Sequence, residues 1–215
     1  MNASKTRAAR AAIWAIALVC AAFAGAARAQ SIIDEWSSVK APPPPELKKV
    51  TFDRKTTALL LLDFNEQTCN QERRPRCIAS IPRVKKLLSA ARQAGIPVAF
   101  TVGGGGKATD ISKELAPGKD EPVVSSGLDK FVGTDLESFL KQHGVRTVVV
   151  AGVAANGAVL YTATTAAERG MKVVVPVDGI SAEGLYPEQY TTWHLVNAPR
   201  IGTSVTLTTI DDVKF

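Results

Sequence analysis

The stretch TVVVAGVAANGAVLYTATTAAERGMKVVVPV, residues 147–177, decides the fold. Thr147 to Ala151 is a short β-branched, apolar run, the pattern of a strand covered on both faces. Gly152 to Gly157 form a glycine-bounded turn. Asn156 to Arg169 read as a helix closed by Gly170, where a left-handed stop costs a glycine least. Val173 to Val177 is a second apolar strand. Strand, helix and strand at this spacing imply a right-handed crossover and parallel pairing.

The same alternation extends outward. Thr57 to Asp63 (TALLLLD) reads as a buried strand, Pro82 to Ala94 as a helix, and Val98 to Val102 as a strand. Pro122 to Val124 is a short strand and Asp135 to His143 a helix ended by Gly144. Residues 187–196 form a last helix and Ser204 to Thr209 a last strand. The expected fold is α/β: three αβα layers, Rossmann-like, around a mainly parallel central sheet. Ligands in such sheets bind outside the carboxyl ends of the strands. That rule selects Asp63, Gly103 to Gly106, Ser125 with Ser126, Gly152 to Gly157, and Asp178.

The charge balance argues against nucleic acid. The chain has 215 residues, 26 Lys plus Arg, 20 Asp plus Glu and a formal charge of +6. Residues 1–29 carry Lys5, Arg7, Arg10 and Arg28 and no acid, so 22 basic groups face 20 acidic ones in the remainder. A nearly balanced body is not a phosphate-binding stripe. Those first residues show a basic start, the uncharged run Ala11 to Ala27, and Ala27-Arg28-Ala29 as a cleavage site. This is the pattern of a secretory signal peptide. The run of 17 residues is short for a spanning helix, which needs about 20. The expected organisation is a signal peptide over 1–29, a Pro-rich arm over 30–54 with Pro42 to Pro45, and one domain over 55–215. The expected location is periplasmic or secreted, with no membrane attachment after cleavage.

Cys69 and Cys77 then remain, flanking the basic segment CNQERRPRC. In an oxidising compartment a close pair reads as a disulfide, worth roughly 2–3 kcal/mol for so small a ring. The other reading is a nucleophilic thiol. A metal site is not expected, because His143 and His194 are far apart and lack ligand spacing. Gly103-Gly-Gly-Gly-Lys107 is not a phosphate loop: Thr101 and Ala108 stand where a glycine and a hydroxyl residue are required. It reads as a flexible loop. No GxSxG nucleophile elbow exists, and no cofactor is expected.

Asp63 is the most informative single residue. A carboxylate ending a central apolar strand is costly to desolvate, so it takes a partner or a raised pKa. It reads either as a catalytic acid or base or as a cap on nearby backbone N–H groups. The turn at Gly152 to Gly157 opens a helix whose free N–H groups suit an anion or oxyanion.

LLLLDFN at 59–65, DKFVGTDLESFLKQHGVRTVVVAGVAANGAVLYTA at 129–163 and ERGMKVVVPVDGIS at 168–181 together resemble the isochorismatase-like hydrolases, a superfamily that includes cysteine hydrolases. The resemblance covers roughly residues 55–210. It implies an Asp at the end of the first strand, matched by Asp63. It implies a cis peptide at Val153–Ala154 and an oxyanion hole from the N–H groups of Ala154 and Ala158. It also implies a small-molecule substrate and a homo-oligomer. Two matches fail: counting from Thr134 to the family Lys lands on Ser125, and counting from Gly152 to the family Cys lands on Ala158.

Without that Cys, covalent thiol catalysis is not expected. Two readings of function stay open. One is an exported hydrolase using Asp63 acid/base chemistry, with Lys130 entering the pocket from another backbone position and Asn65, Phe131, Ala155 and Asn156 lining it. The other is a pseudoenzyme that binds a small ligand or protein in the same pocket. Lys130 itself reads either as Asp63's partner or as a solvated loop charge.

Overall fold

The structure is a computed structural model and describes residues 31–215. The expected signal peptide lies outside the described residues. Within residues 31–42, Ile32–Glu35 form one helical turn. Residues 43–215 form a compact unit.

Its sheet contains β2 (Thr57–Leu62), β3 (Val98–Val102), β4 (Val123–Ser125), β5 (Thr147–Val153), β6 (Lys172–Pro176), β7 (Ile180–Ser181) and β8 (Val205–Thr208). The order is β4-β3-β2-β5-β6-β8, with β7 beside the end of β5, and every pairing is parallel. A further parallel pair joins β1 (Val50–Thr51) to β9 (Val213–Lys214). Residues placed in the Pro-rich arm by composition thus include a strand anchored to the chain's last residues.

The continuous apolar runs are explained by the two covered faces. On β2, Ala58, Leu60 and Leu62 enter one core with Leu136, Leu140, Ala163 and Leu195. Leu59 and Leu61 enter the other with Ile81, Val84, Leu87 and Leu88. The helices α2 (Leu136–Gln142), α3 (Leu160–Glu168) and α4 (Leu185–Asn197) cover the first face, and α1 (Pro75–Gln93) the second. The expected α/β sandwich is therefore present, with two differences in its helices.

The first concerns α1, which begins at Pro75 and not at Pro82, so Pro82 lies inside it. Pro75 occupies the first turn, where a missing N–H costs nothing. Pro82 cannot donate to the Ile78 carbonyl, and Ile78 is on the exposed side, where water can serve that group. The second concerns the expected helix from Asn156. Ala155–Val159 form a wide π turn before α3, because Gly157 takes a non-helical conformation at φ −122°, ψ −109°.

The chain order reverses between β2 and β5. β3 and β4 build outward from β2, and β6 and β8 build outward from β5. This is the topological switch point at which open α/β sheets leave a crevice. Asp63 ends one of its strands, and the Ala154–Ala158 turn ends the other.

Candidate active site

Asp63 sits at the switch point with a left-handed backbone, φ 58°. That conformation is rare for a residue with a Cβ and costs about 1–3 kcal/mol. The surroundings hold it there. Its N–H donates to Thr101 O at 3.1 Å, and its own carbonyl accepts the Thr68 hydroxyl.

The carboxylate is engaged at both oxygens. Thr101 Oγ1 donates to Oδ1 at 2.6 Å, and Lys130 Nζ lies 2.8 Å from Oδ2. The Lys130 side chain is 0% exposed and that of Asp63 7%. Lys130 Nζ also donates to Gly127 O at 2.7 Å and Ser126 O at 3.4 Å. All three ammonium protons thus have acceptors, which is what makes a buried Lys tolerable. Burial pushes the Asp63 carboxyl above the usual carboxylate range, against the Lys130 charge, the Lys130 and Thr101 hydrogen bonds and the Arg74 charge, which favour ionisation. Lys130 is thus Asp63's partner and not a solvated loop charge.

The glycine run at 103–106 has a constructive role. A Cβ on Gly103 would lie 2.5 Å from Asp63 Oδ2, and one on Gly106 would collide with Asn65 Nδ2. Only glycine lets the β3 exit pass this close to the carboxylate. Asn65 then clamps the loop: its Nδ2 donates to Gly103 O at 3.0 Å, and Gly103 N–H donates to its Oδ1 at 3.2 Å. The two ends of the loop, Gly103 and Gly106, are closely fitted, while Gly104 and Gly105 between them are exposed.

A cavity of about 230 Å³ opens beside Asp63. Its walls are Thr68 and Arg74 from the segment before α1, Gly103 and Gly104, Ser126 to Leu128, and Val153, Ala154, Gly157 and Ala158. The Val153–Ala154 peptide is cis. Of the residues anticipated for the pocket, Ala154 and Ala158 line it with Asp63.

The others are placed differently. Asn65 is buried behind the glycine loop that it clamps. Phe131 follows Lys130 directly and turns into the core of Leu136 and Ala163, with Arg169 over its ring at 4.7 Å. Ala155 is buried in the same core. Asn156 is exposed, on the solvent side of the π turn. Ser125, at the end of the edge strand β4, is exposed and outside the cavity wall.

Cys69 and Cys77 are joined in a disulfide, with Cα atoms 5.5 Å apart. Neither is a free thiol. The ring brackets Arg74, a cavity residue that sequence reasoning missed. Arg74 lies at the entry to α1, its Nη1 donating to Thr68 O at 2.8 Å and its Nη2 lying 3.2 Å from Glu183. The one available signal was the density of arginines between the two cysteines.

The sequence profile of the isochorismatase domain matches residues 57–209. The chain belongs to the isochorismatase family. A secreted isochorismatase effector from Verticillium dahliae is 31% identical over 113 residues, 47% of this chain and 60% of that protein, less than two thirds of its length. An uncharacterized isochorismatase family protein from Escherichia coli O157:H7 is 28% identical over 176 residues, covering 70% of this chain and 92% of the relative. The solved structure of an isochorismatase-like hydrolase from Alkaliphilus metalliredigens superposes with a TM-score of 0.65 at 26% identity. That match covers 73% of this isochorismatase-family chain and 95% of the other.

Proposed function

We propose that the protein is an exported hydrolase of small molecules that works by Asp63 acid/base chemistry through water, without a covalent thiol intermediate. The observation that carries this reading is the buried Asp63–Lys130 pair at the edge of a cavity whose wall includes Ala158. The methyl group of Ala158 cannot attack a substrate, so the nucleophile is water. Asp63, charged, takes a proton from that water; protonated, it delivers one to the leaving group. The burial that raises its pKa suits the second task, and Lys130 supports the charged form needed for the first.

Export is supported by the basic, apolar and A-x-A sequence of residues 1–29 and by the secreted relative. Among the described residues no helix is long and apolar enough to cross a membrane. In this reading residues 1–29 are removed, the Pro-rich arm that follows joins the domain through β1, and the compact unit over 43–215 is the catalytic domain, which assembles as a homo-oligomer.

A second reading is a pseudoenzyme that binds a ligand in the same cavity. Ala158 and Ser125, in place of the nucleophile and ammonium that the resemblance implies, favour it. Screening the purified protein against amides, esters and vinyl ethers beside Asp63→Asn separates the two. Turnover lost in Asp63→Asn supports the hydrolase. Turnover unaffected by that substitution, or none on any substrate while ligands still bind, defeats it.

A further inference from the structure

We propose that Arg74 is the specificity-determining group of the cavity and selects small molecules that carry a carboxylate. The proposal rests on the cavity being a substrate site, as in the proposed function. Its basis is the incomplete engagement of the guanidinium. Arg74 forms part of the cavity wall, and its side chain is only 12% exposed. Nη1 is committed to Thr68 O. The Nε–Nη2 edge, which fits a carboxylate with two parallel hydrogen bonds, is half used: Nη2 meets Glu183 Oε1 at 3.2 Å, while Nε is buried without a hydrogen-bond partner among the described residues. A buried donor left unpaired is costly, so a ligand that completes the edge gains what the empty site lacks.

Glu183 is a weak occupant of that edge. Its side chain is 55% exposed, and the same Oε1 also accepts from Arg73 at 2.8 Å. It can swing to Arg73 and solvent when a ligand arrives. The charge of the cavity agrees. Asp63 is the one acidic side chain in its wall, and Lys130 neutralises it, so Arg74 leaves the site positive. The remaining wall is Thr68, Ser126, Val153, Leu128, glycine and alanine, which suits a compact, largely apolar body between the carboxylate at Arg74 and the reacting atoms at Asp63.

The test compares benzoate and benzamide, similar in shape and different in charge, titrated by calorimetry into the purified, oxidised protein at pH 7. Benzoate is expected to bind roughly 10- to 100-fold tighter, the range of a charge-assisted hydrogen bond. Arg74→Met should erase that preference, and Arg74→Lys should restore part of it with one point charge. Glu183→Gln, which removes the competing carboxylate, should tighten benzoate binding, an effect that a purely structural Arg74 would not produce. Equal binding of the two probes, no binding of benzoate, a preference surviving in Arg74→Met, or no gain in Glu183→Gln would overturn the proposal. Because the readout is binding, it separates from the acid/base reading. A carboxylate preference without turnover spares Arg74 and sinks the hydrolase, while Asp63-dependent turnover without that preference does the reverse.

Discussion

Substituting Lys130 by Met tests the central ion pair through stability and needs no substrate. Met keeps much of the aliphatic stem and removes the ammonium. Three acceptors lose their donor at once: Asp63 Oδ2 at 2.8 Å, Gly127 O at 2.7 Å and Ser126 O at 3.4 Å. Breaking a buried pair from one side costs about 3–5 kcal/mol, because the surviving charge stays desolvated. For a domain of this size that lowers Tm by roughly 6–20 °C. The effect depends on pH. The folded pKa of Asp63 already lies above its unfolded value because of burial, and losing the Lys130 charge raises it further. Stability from such a group is present below the unfolded carboxylate value and is lost as pH rises through the folded one. Lys130→Met should therefore be least stable at alkaline pH. It should recover under acid, where only the carbonyl hydrogen bonds remain lost, about 1–3 kcal/mol. Urea denaturation across the pH range, with Asp63→Asn and the double variant completing a cycle, measures the coupling. We expect the double variant to be more stable than the sum of the singles predicts, by about 1–3 kcal/mol. Single losses under about 1 kcal/mol that simply add would mean that the pair is hydrated and uncoupled, since a desolvated pair cannot behave that way.

Gly103→Ala should destabilise by about 1–3 kcal/mol through overpacking against Asp63 and abolish any Asp63-dependent turnover. A variant with unchanged Tm and activity would show that the loop yields freely. Reducing Cys69–Cys77 should lower stability by about 2–3 kcal/mol, which calorimetry with and without dithiothreitol reads as a Tm drop of roughly 4–12 °C. If Asp63 delivers a proton, the alkaline limb of the rate profile lies above the ordinary carboxylate range, as burial dictates. In Lys130→Met that limb moves to still higher pH, and a move to lower pH in stopped assays would contradict the electrostatics.

The strands were legible because a parallel sheet covered on both sides demands unbroken apolar runs, and TALLLLD and TVVVA can serve little else. Asp63 stood out for the same reason, as a charge at the end of such a run. Lys130 was harder, since a loop position says nothing about direction; its burial follows from the carbonyls of Ser126 and Gly127 turning inward. Arg74 was missed because α1 was read as starting at Pro82. Its true start at Pro75 carries the arginine to the cavity. Asn156 was misplaced because a regular helix was assumed where Gly157 opens a wider turn. Ser125 came from counting along a resemblance, and counting cannot see that a lysine five residues later, Lys130, reaches Asp63.

The disulfide has a consequence in time. Thr68, which bonds the Asp63 carbonyl, stands just before Cys69, and Arg74 stands three residues before Cys77. The ring therefore ties the acid end of the cavity to its basic wall through a closure of only a few residues. In a reducing compartment that closure is open, and Arg74 depends on its hydrogen bond to Thr68 and its ion pair with Glu183. In the exported protein proposed above, oxidation would act as a maturation step: the newly made chain carries every residue of the cavity, but two of its walls are locked together only after the thiols have met an oxidant.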